Sequence, residues 1–220
     1  MLLPIRRTAR RLLNALRLRR HRKTLYATMG NQPAEYRDYL ETQLKRTLGK
    51  LDAPLQGRTQ LMVDAVARFA DLPHSRVLCV GCRNTAELDY FLARGAQSVT
   101  GIDLYSGDPR IQVMDMHQMT FPADQFDVLY TVHALEHAHD PAKVAGEIAR
   151  VVRPQGIVAI EVPVRYPTGG ADLVDFENLD KLHALFAPYL DQVLWGEELP
   201  AGAPANHSGT PVIRTIFCLR

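Results

Sequence analysis

Three residues of this chain end apolar runs and are of types that bind hydroxyls or move protons. Asp103 closes the run from Ser98, Asp115 follows Ile111-Gln112-Val113-Met114, and His133 follows the apolar residues 128–132. A carboxylate at a strand end can accept hydrogen bonds from a ribose diol. A neutral imidazole near pH 7 can take a proton from a hydroxyl or amine. Upstream, Arg76-Val77-Leu78-Cys79-Val80 ends at Gly81, and Asp103 lies 22 positions after that glycine. Strand, glycine turn, helix, then a strand with a terminal acid about 20 residues on is how open parallel sheets hold a nucleoside.

The elements that must position these groups follow from hydropathy. Residues 77–80 form a short continuous apolar run, as expected for a strand buried on both faces. Thr85 is expected to cap the next helix, with Leu88, Phe91 and Leu92 sharing one face. Residues 128–132 form a fourth strand, with Asp127 at its start in a structural role. Asp140-Pro141 opens a helix, and residues 157–162 form a fifth strand. A helix from Phe176 to about Leu190 and strands at 192–195 and 212–217 complete the domain. Ahead of the sheet, residues 34–50 and 54–71 read as helices. Tyr36, Leu40, Leu44 and Leu48 keep a spacing of four on the first. Tyr26, Tyr36 and Tyr39 either reach an acceptor or pack these helices onto the domain.

Six motifs resemble, in order and spacing, those of the class I S-adenosylmethionine-dependent methyltransferases, and within them the small-molecule branch often called type 11. They are Val77-Leu78-Cys79-Val80-Gly81-Cys82, Gly101-Ile102-Asp103, Met114-Asp115-Met116, the run from Phe121 to Val128, Ala134-Leu135-Glu136-His137, and Val152-Arg153-Pro154-Gln155-Gly156. The resemblance covers residues 76 to about 164 closely and the C-terminal part loosely. It implies an α/β fold, a Rossmann-like, doubly wound, seven-stranded and mostly parallel sheet with an N-terminal helical extension. It implies S-adenosyl-L-methionine as cofactor and methyl transfer to an oxygen, nitrogen or carbon of a small or lipid-linked acceptor. The cofactor positions it implies are Gly81, Cys82, Arg83, Asp103, Leu104, Asp115, Met116 and His133. Asp103 would take the ribose and Asp115 the adenine amino group. The backbone N–H of Met116 would reach the ring. His133 would act as base or only wall the pocket. Cys79 stands where the pattern has an acid, and Arg83 and Thr85 stand where it has glycines. Those exchanges favour a rival reading, a non-catalytic scaffold with an altered cofactor loop.

Other chemistries fit less well. His133-Ala134-Leu135-Glu136-His137 matches the H-x-x-E-H pattern of inverted zinc proteases, but these histidines leave a strand, so no metal site is expected. Cys79-Val80-Gly81-Cys82 is a C-x-x-C at a strand–helix junction, in a pattern too long for a thioredoxin-like fold. The loop fails the Gly-x-Gly-x-x-Gly rule of dinucleotide-binding oxidoreductases.

Composition divides the chain. Residues 1–34 hold nine Lys or Arg and no acid; the remaining residues hold 17 basic and 24 acidic groups, a net of −7. The expected organisation is a basic amphipathic arm over 1–33, a helical lead-in over 34–75 and the methyltransferase-like domain over 76–220. On the arm, Ile5, Leu12, Leu13 and Leu16 are expected to share a face, with arginines around the rest. Such a helix suits anionic membrane surfaces, although docking on its own domain or an organelle-targeting role fits the same charges. Specific nucleic-acid binding by the whole chain is not expected. Three cysteines give no disulfide framework, which points to a reducing compartment and a cytoplasmic location.

Overall fold

The alternation of side chains along the strands decides the layering. Val77, Cys79, Val128, Tyr130, Ile157 and Ala159 point to one face of the sheet, and Leu78, Val80, Leu129, Val158 and Ile160 to the other. With both of these sets apolar, both faces must be covered, and helices cover both. A computed structural model describes residues 3–30 and 32–220, with side chains from residue 15 onward except residue 29. The chain forms α1 (Leu3–Met29), α2 (Ala34–Gly49), α3 (Gly57–Val66), β1 (Arg76–Val80), α4 (Ala86–Ala93), β2 (Ser98–Asp103) and β3 (Ile111–Val113). It continues through β4 (Phe126–Val132), α5 (Pro141–Val151), β5 (Val152–Pro163), α6 (Leu179–Phe186), β6 (Leu190–Leu199) and β7 (Val212–Leu219).

The seven strands run in the order β3-β2-β1-β4-β5-β7-β6. The first five in this order are parallel, and β7 is antiparallel to both β5 and β6. Met62, Val63 and Val66 of α3, with Leu88 and Phe91 of α4, fill one core; Val144, Ile148 and Val151 of α5, with Leu182 and Phe186 of α6, fill the other. The expected α/β class and seven-stranded sheet are therefore present. A third cluster joins Leu25 of α1 to Leu40, Leu44 and Leu48 of α2, against Leu104, Tyr105 and Val113. The spacing of four on α2 thus buries a stripe over the carboxyl ends of β2 and β3.

Several local expectations change. Thr85 makes no side-chain cap at α4; Asn84 Oδ1 accepts from Ala86 N instead at 3.0 Å. Asn reaches the first free N–H of the helix from one position earlier, which leaves the threonine hydroxyl out of the cap. Leu92 is 40% exposed and lies off the face of Leu88 and Phe91. The two helices expected over 54–71 and 176–190 are shorter, 57–66 and 179–186, because the chain turns out of the helix at residues 67–69 and 187–189. Leu16 is 59% exposed. Ile5, Leu12 and Leu13 lie outside the described side chains. Among the described residues no helix is long and apolar enough to cross a membrane.

Asp127 sits where the bottoms of β1, β4 and β5 meet. It accepts from Arg76 N at 2.8 Å, Arg76 Nε at 3.0 Å and Arg153 Nε at 2.7 Å. Burial alone would raise its carboxyl, but the Arg76 and Arg153 donors outweigh it and hold it down at about 2. A depressed carboxylate contributes stability above its unfolded value of about 3.9 and loses it as pH falls toward the folded value. Asp127→Asn is expected to lower the unfolding free energy at pH 7 by about 1–3 kcal/mol. The gap should narrow as urea titrations move from pH 7 to pH 3. A pH-independent gap would mean that shape, not charge, holds the strands here.

Candidate active site

Four strand ends and one helix enclose an open cleft of about 600 Å³. Its wall holds Gly81 and Arg83 after β1, Asp103 and Leu104 after β2, Met114 to Met116 after β3, and His133, Ala134 and His137 after β4. Its cover is α2, through Tyr39, Gln43, Arg46 and Thr47. Of the sequence-derived site residues, all but Cys82 line this cleft. Cys82 is buried beneath β2; its thiol reaches Ile102 O at 3.7 Å, and its Sγ would stand 2.6 Å from a Cβ on Gly101. Burial pushes both the Cys79 and Cys82 thiols well up, the opposite of a reactive C-x-x-C.

The turn after β1 depends on two left-handed residues. Gly81 has φ +75°, and a Cβ there would lie 2.4 Å from Ala134 Cβ, so the β1 and β4 turns touch with no room to spare. Arg83, where the resembling pattern has glycine, still adopts φ 61°. The left-handed backbone is kept, at a strain of about 1–2 kcal/mol for a residue with a side chain. The turn is also closed on itself. Gly81 N donates to Ile102 O at 2.9 Å, Arg83 N to Asp103 Oδ2 at 2.8 Å and Asn84 N to Cys82 O at 2.5 Å.

Asp103 is buried and carries three donors: Arg83 N, Leu104 N at 2.7 Å and the Thr47 hydroxyl of α2 at 2.9 Å, the last two on Oδ1. Burial raises its carboxyl, and these hydrogen bonds oppose the rise. Asp115 is held in the same way. Its Oδ1 accepts from His117 N and Nδ1, and its Oδ2 from the Tyr36 hydroxyl at 2.5 Å. Burial would raise this carboxyl, but the His117 and Tyr36 donors prevail and lower it. His117 Nε2 accepts from His139 N and Asp140 N, which fixes its neutral tautomer with the proton on Nδ1. Tyr36 and Tyr39 pack edge-on and tilted against His117 and His139. These tyrosines therefore fasten the cap; Tyr26 bonds Glu41 at 3.3 Å.

His133 stands in the left-handed region, φ 53°, which turns its ring back toward β5. Its Nε2 lies 2.9 Å from Glu161 Oε1. The other Glu161 oxygen pairs with Arg214 Nε of β7, and Arg214 continues to Glu197 Oε1 at 3.0 Å and Ala205 O at 2.9 Å. Glu161 and Arg214 are almost fully buried. Burial would raise the Glu161 carboxyl, yet His133 and Arg214 keep it low and ionised. An ionised carboxylate only accepts, so His133 carries its proton on Nε2 and leaves Nδ1 as a lone pair. Burial lowers the His133 ring, with Glu161 opposing, so the ring is neutral at pH 7.

Thr47, His117, Glu161 and Arg214 are absent from the sequence reading, which holds Tyr36 but not its bond to Asp115. Only the last two carried a signal, as charged residues inside apolar runs at cross-strand register, Glu161↔Arg214. Gly81→Ala should lower stability by about 1–3 kcal/mol, read as a fall in Tm. Adding Ala134→Gly should restore the steric part and leave the backbone part. If the double variant gains nothing over Gly81→Ala, the touching turns are not the constraint.

Residues 55–209 match the family described as methyltransferase domain. Among curated relatives, the ubiquinone biosynthesis O-methyltransferase of Aromatoleum aromaticum is 34% identical over 120 residues, 48% of this chain and 51% of that protein. The same enzyme of Pseudomonas aeruginosa is 31% identical over 131 residues, 52% and 55%. The chain spans about half the length of the curated relatives it matches. Among solved structures, the Burkholderia thailandensis 1,6-didemethyltoxoflavin-N1-methyltransferase, with bound 1,6-didemethyltoxoflavin and S-adenosylhomocysteine, has a TM-score of 0.62 at 17% identity. That likeness covers 86% of this chain and 91% of that one. The N-methyltransferase NodS of Bradyrhizobium japonicum, in complex with S-adenosylhomocysteine, has a TM-score of 0.58 at 16% identity, over 77% and 90%. These distant likenesses carry the fold, and the match over 55–209 carries the family. The chain belongs to the methyltransferase domain family, with the class I S-adenosylmethionine-dependent methyltransferase fold that its motifs resemble.

Proposed function

We propose that this protein binds S-adenosyl-L-methionine in the cleft and transfers its methyl group to a small-molecule acceptor. The observation that carries this reading is convergence: Gly81, Asp103, Asp115, Met116 and His133 come from four strand ends and line one cleft. The residues fit the cofactor in kind. Asp103 offers the ribose a buried carboxylate, Asp115 and Met116 stand where adenine is read, and Gly81 admits close approach. Arg83, which lines the cleft, would bind the methionine carboxylate. When bound, the cofactor supplies an activated methyl group on a sulfonium. His133 lines the cleft, and its Nδ1 lone pair would accept the proton of an acceptor hydroxyl or amine. Glu161 keeps that tautomer. An acceptor with a lipid tail, and contact of the basic arm with a membrane surface, are extensions of this reading that the relatives' printed names and the charge of residues 1–34 support.

A second reading has its own observation. Thr47 and Tyr36 already donate to the carboxylates that the cofactor would use, and the turn's N–H groups are bonded internally. On that reading α2 permanently fills the site, and the protein is a scaffold.

Isothermal titration with S-adenosylmethionine and S-adenosylhomocysteine separates the two. Micromolar binding of either, weakened at least tenfold by Asp103→Ala in a variant with unchanged circular dichroism, is the expected result. No binding would move the assignment to the scaffold. If Thr47 competes with the ribose, Thr47→Ala should tighten binding by up to about tenfold, the worth of one hydroxyl hydrogen bond. Weaker binding in that variant would mean that Thr47 itself holds the cofactor.

A further inference from the structure

The H-x-x-E-H stretch has a use that the methyl-transfer reading leaves over. After His133 the chain makes a single 3-10 turn, Leu135–His137, which drives Glu136 beneath the cleft floor. Glu136 is 1% exposed. Its Oε1 lies 3.6 Å from His137 Nε2 and 3.9 Å from His133 Nδ1, both too long for a hydrogen bond. Its Oε2 has no hydrogen-bond partner. On the other side of the His137 ring, Nδ1 lies 3.0 Å from Asp172 Oδ1, but neither atom makes an aligned hydrogen bond. A buried carboxylate, an imidazole and a partly exposed second carboxylate thus stand together, and among the described residues Glu136 Oε2 is left without a partner. A buried carboxylate oxygen is nearly always satisfied, so this one requires an explanation.

The spacing suggests one. Donor atoms from Glu136, His137 and Asp172 all lie within 4.8 Å of one another. Ligands held at about 2.1 Å by a divalent ion stand about 3.0 Å apart when adjacent and about 4.2 Å apart when opposite. An ion binds one nitrogen of an imidazole, so Glu136 or Asp172 must rotate about its side-chain bonds to share that nitrogen's ion. The backbone brings Asp172 there deliberately: Leu173 N and Val174 N both donate to Glu136 O, at 2.9 and 3.0 Å, and Gln43 of α2 donates to Ala171 O at 2.7 Å. Arg46 also reaches Asp172 Oδ1, at 2.9 Å. It is the cation this carboxylate has at present, and both side chains are about a third exposed, so Arg46 can swing into solvent.

We propose that Glu136, His137 and Asp172 bind a divalent transition-metal cation, Zn²⁺ or Mn²⁺, at the end of the cleft beside His133. Two carboxylates and one neutral imidazole suit ions of borderline hardness. His137 also lines the cleft, so an ion there would border it. The site does not depend on the cofactor reading, since its ligands are none of the residues assigned to S-adenosylmethionine.

The test is metal binding by the whole protein, after chelator treatment and with no cofactor added. Isothermal titration with ZnCl₂ and with MnCl₂, and elemental analysis after desalting, should show one equivalent of at least one ion. Asp172→Asn, on an exposed hairpin, should weaken it tenfold or more with unchanged circular dichroism. Glu136→Gln should do the same, and if that buried change unfolds the chain, Asp172→Asn and His137→Gln still decide. His74→Ala removes an exposed histidine outside the cluster and should leave metal binding unchanged. No stoichiometric ion in the wild-type protein, or equal binding by wild type and Asp172→Asn, overturns the proposal. Titration with S-adenosylhomocysteine on the same samples reports separately on the cofactor site.

Discussion

A carboxylate buried at a strand end must find donors, and Asp103 finds three from three separate stretches of chain. Arg83 N ties down the turn after β1, Leu104 N fixes the exit of β2, and Thr47 brings in α2. An unpaired carboxylate there would lose several kcal/mol of solvation, so each donor is in effect obligatory. The left-handed Arg83 and Thr47 of α2 meet at this one group.

The opposite wall is built on the same logic with charges instead of amides. Glu161 and Arg214 are buried side by side on antiparallel strands, and each has a further partner, His133 on one side and Glu197 on the other. Such pairs add little net stability over apolar residues but are costly to break. Here the pair has a directional use: it presents a formally ionised oxygen to one nitrogen of one imidazole. The cleft therefore lies between a carboxylate that organises backbone and a carboxylate that organises a ring.

How much of this was legible in the sequence depends on distance along the chain. The strands, the strand-end acids and the α2 stripe of Leu40, Leu44 and Leu48 are local patterns, and they emerge where expected. Thr47 meets Asp103 across 56 positions and Tyr36 meets Asp115 across 79; no periodicity reports such pairings. Errors at helix ends came from close competitors, as where Asn84 rather than Thr85 caps α4. Cys82 was misplaced because a turn residue's side-chain direction depends on the glycine across from it, Gly101, whose bare α-carbon leaves the thiol its room.

The strand order has a consequence for how the chain comes together in time. β7, the last strand in sequence, lies between β5 and β6 rather than at an edge. Before residues 212–219 are made, β5 has an open flank and β6 has no strand to pair with. Glu161 then lacks the arginine that shares its burial. A nascent chain can assemble β1 to β5 with their helices, but it must hold an unpaired sheet edge open until the final strand slides in. Sequence-distant pairing of this kind is slow to form and exposes backbone that other chains can capture. The most vulnerable moment in the life of this protein is therefore the interval before its final strand is synthesised.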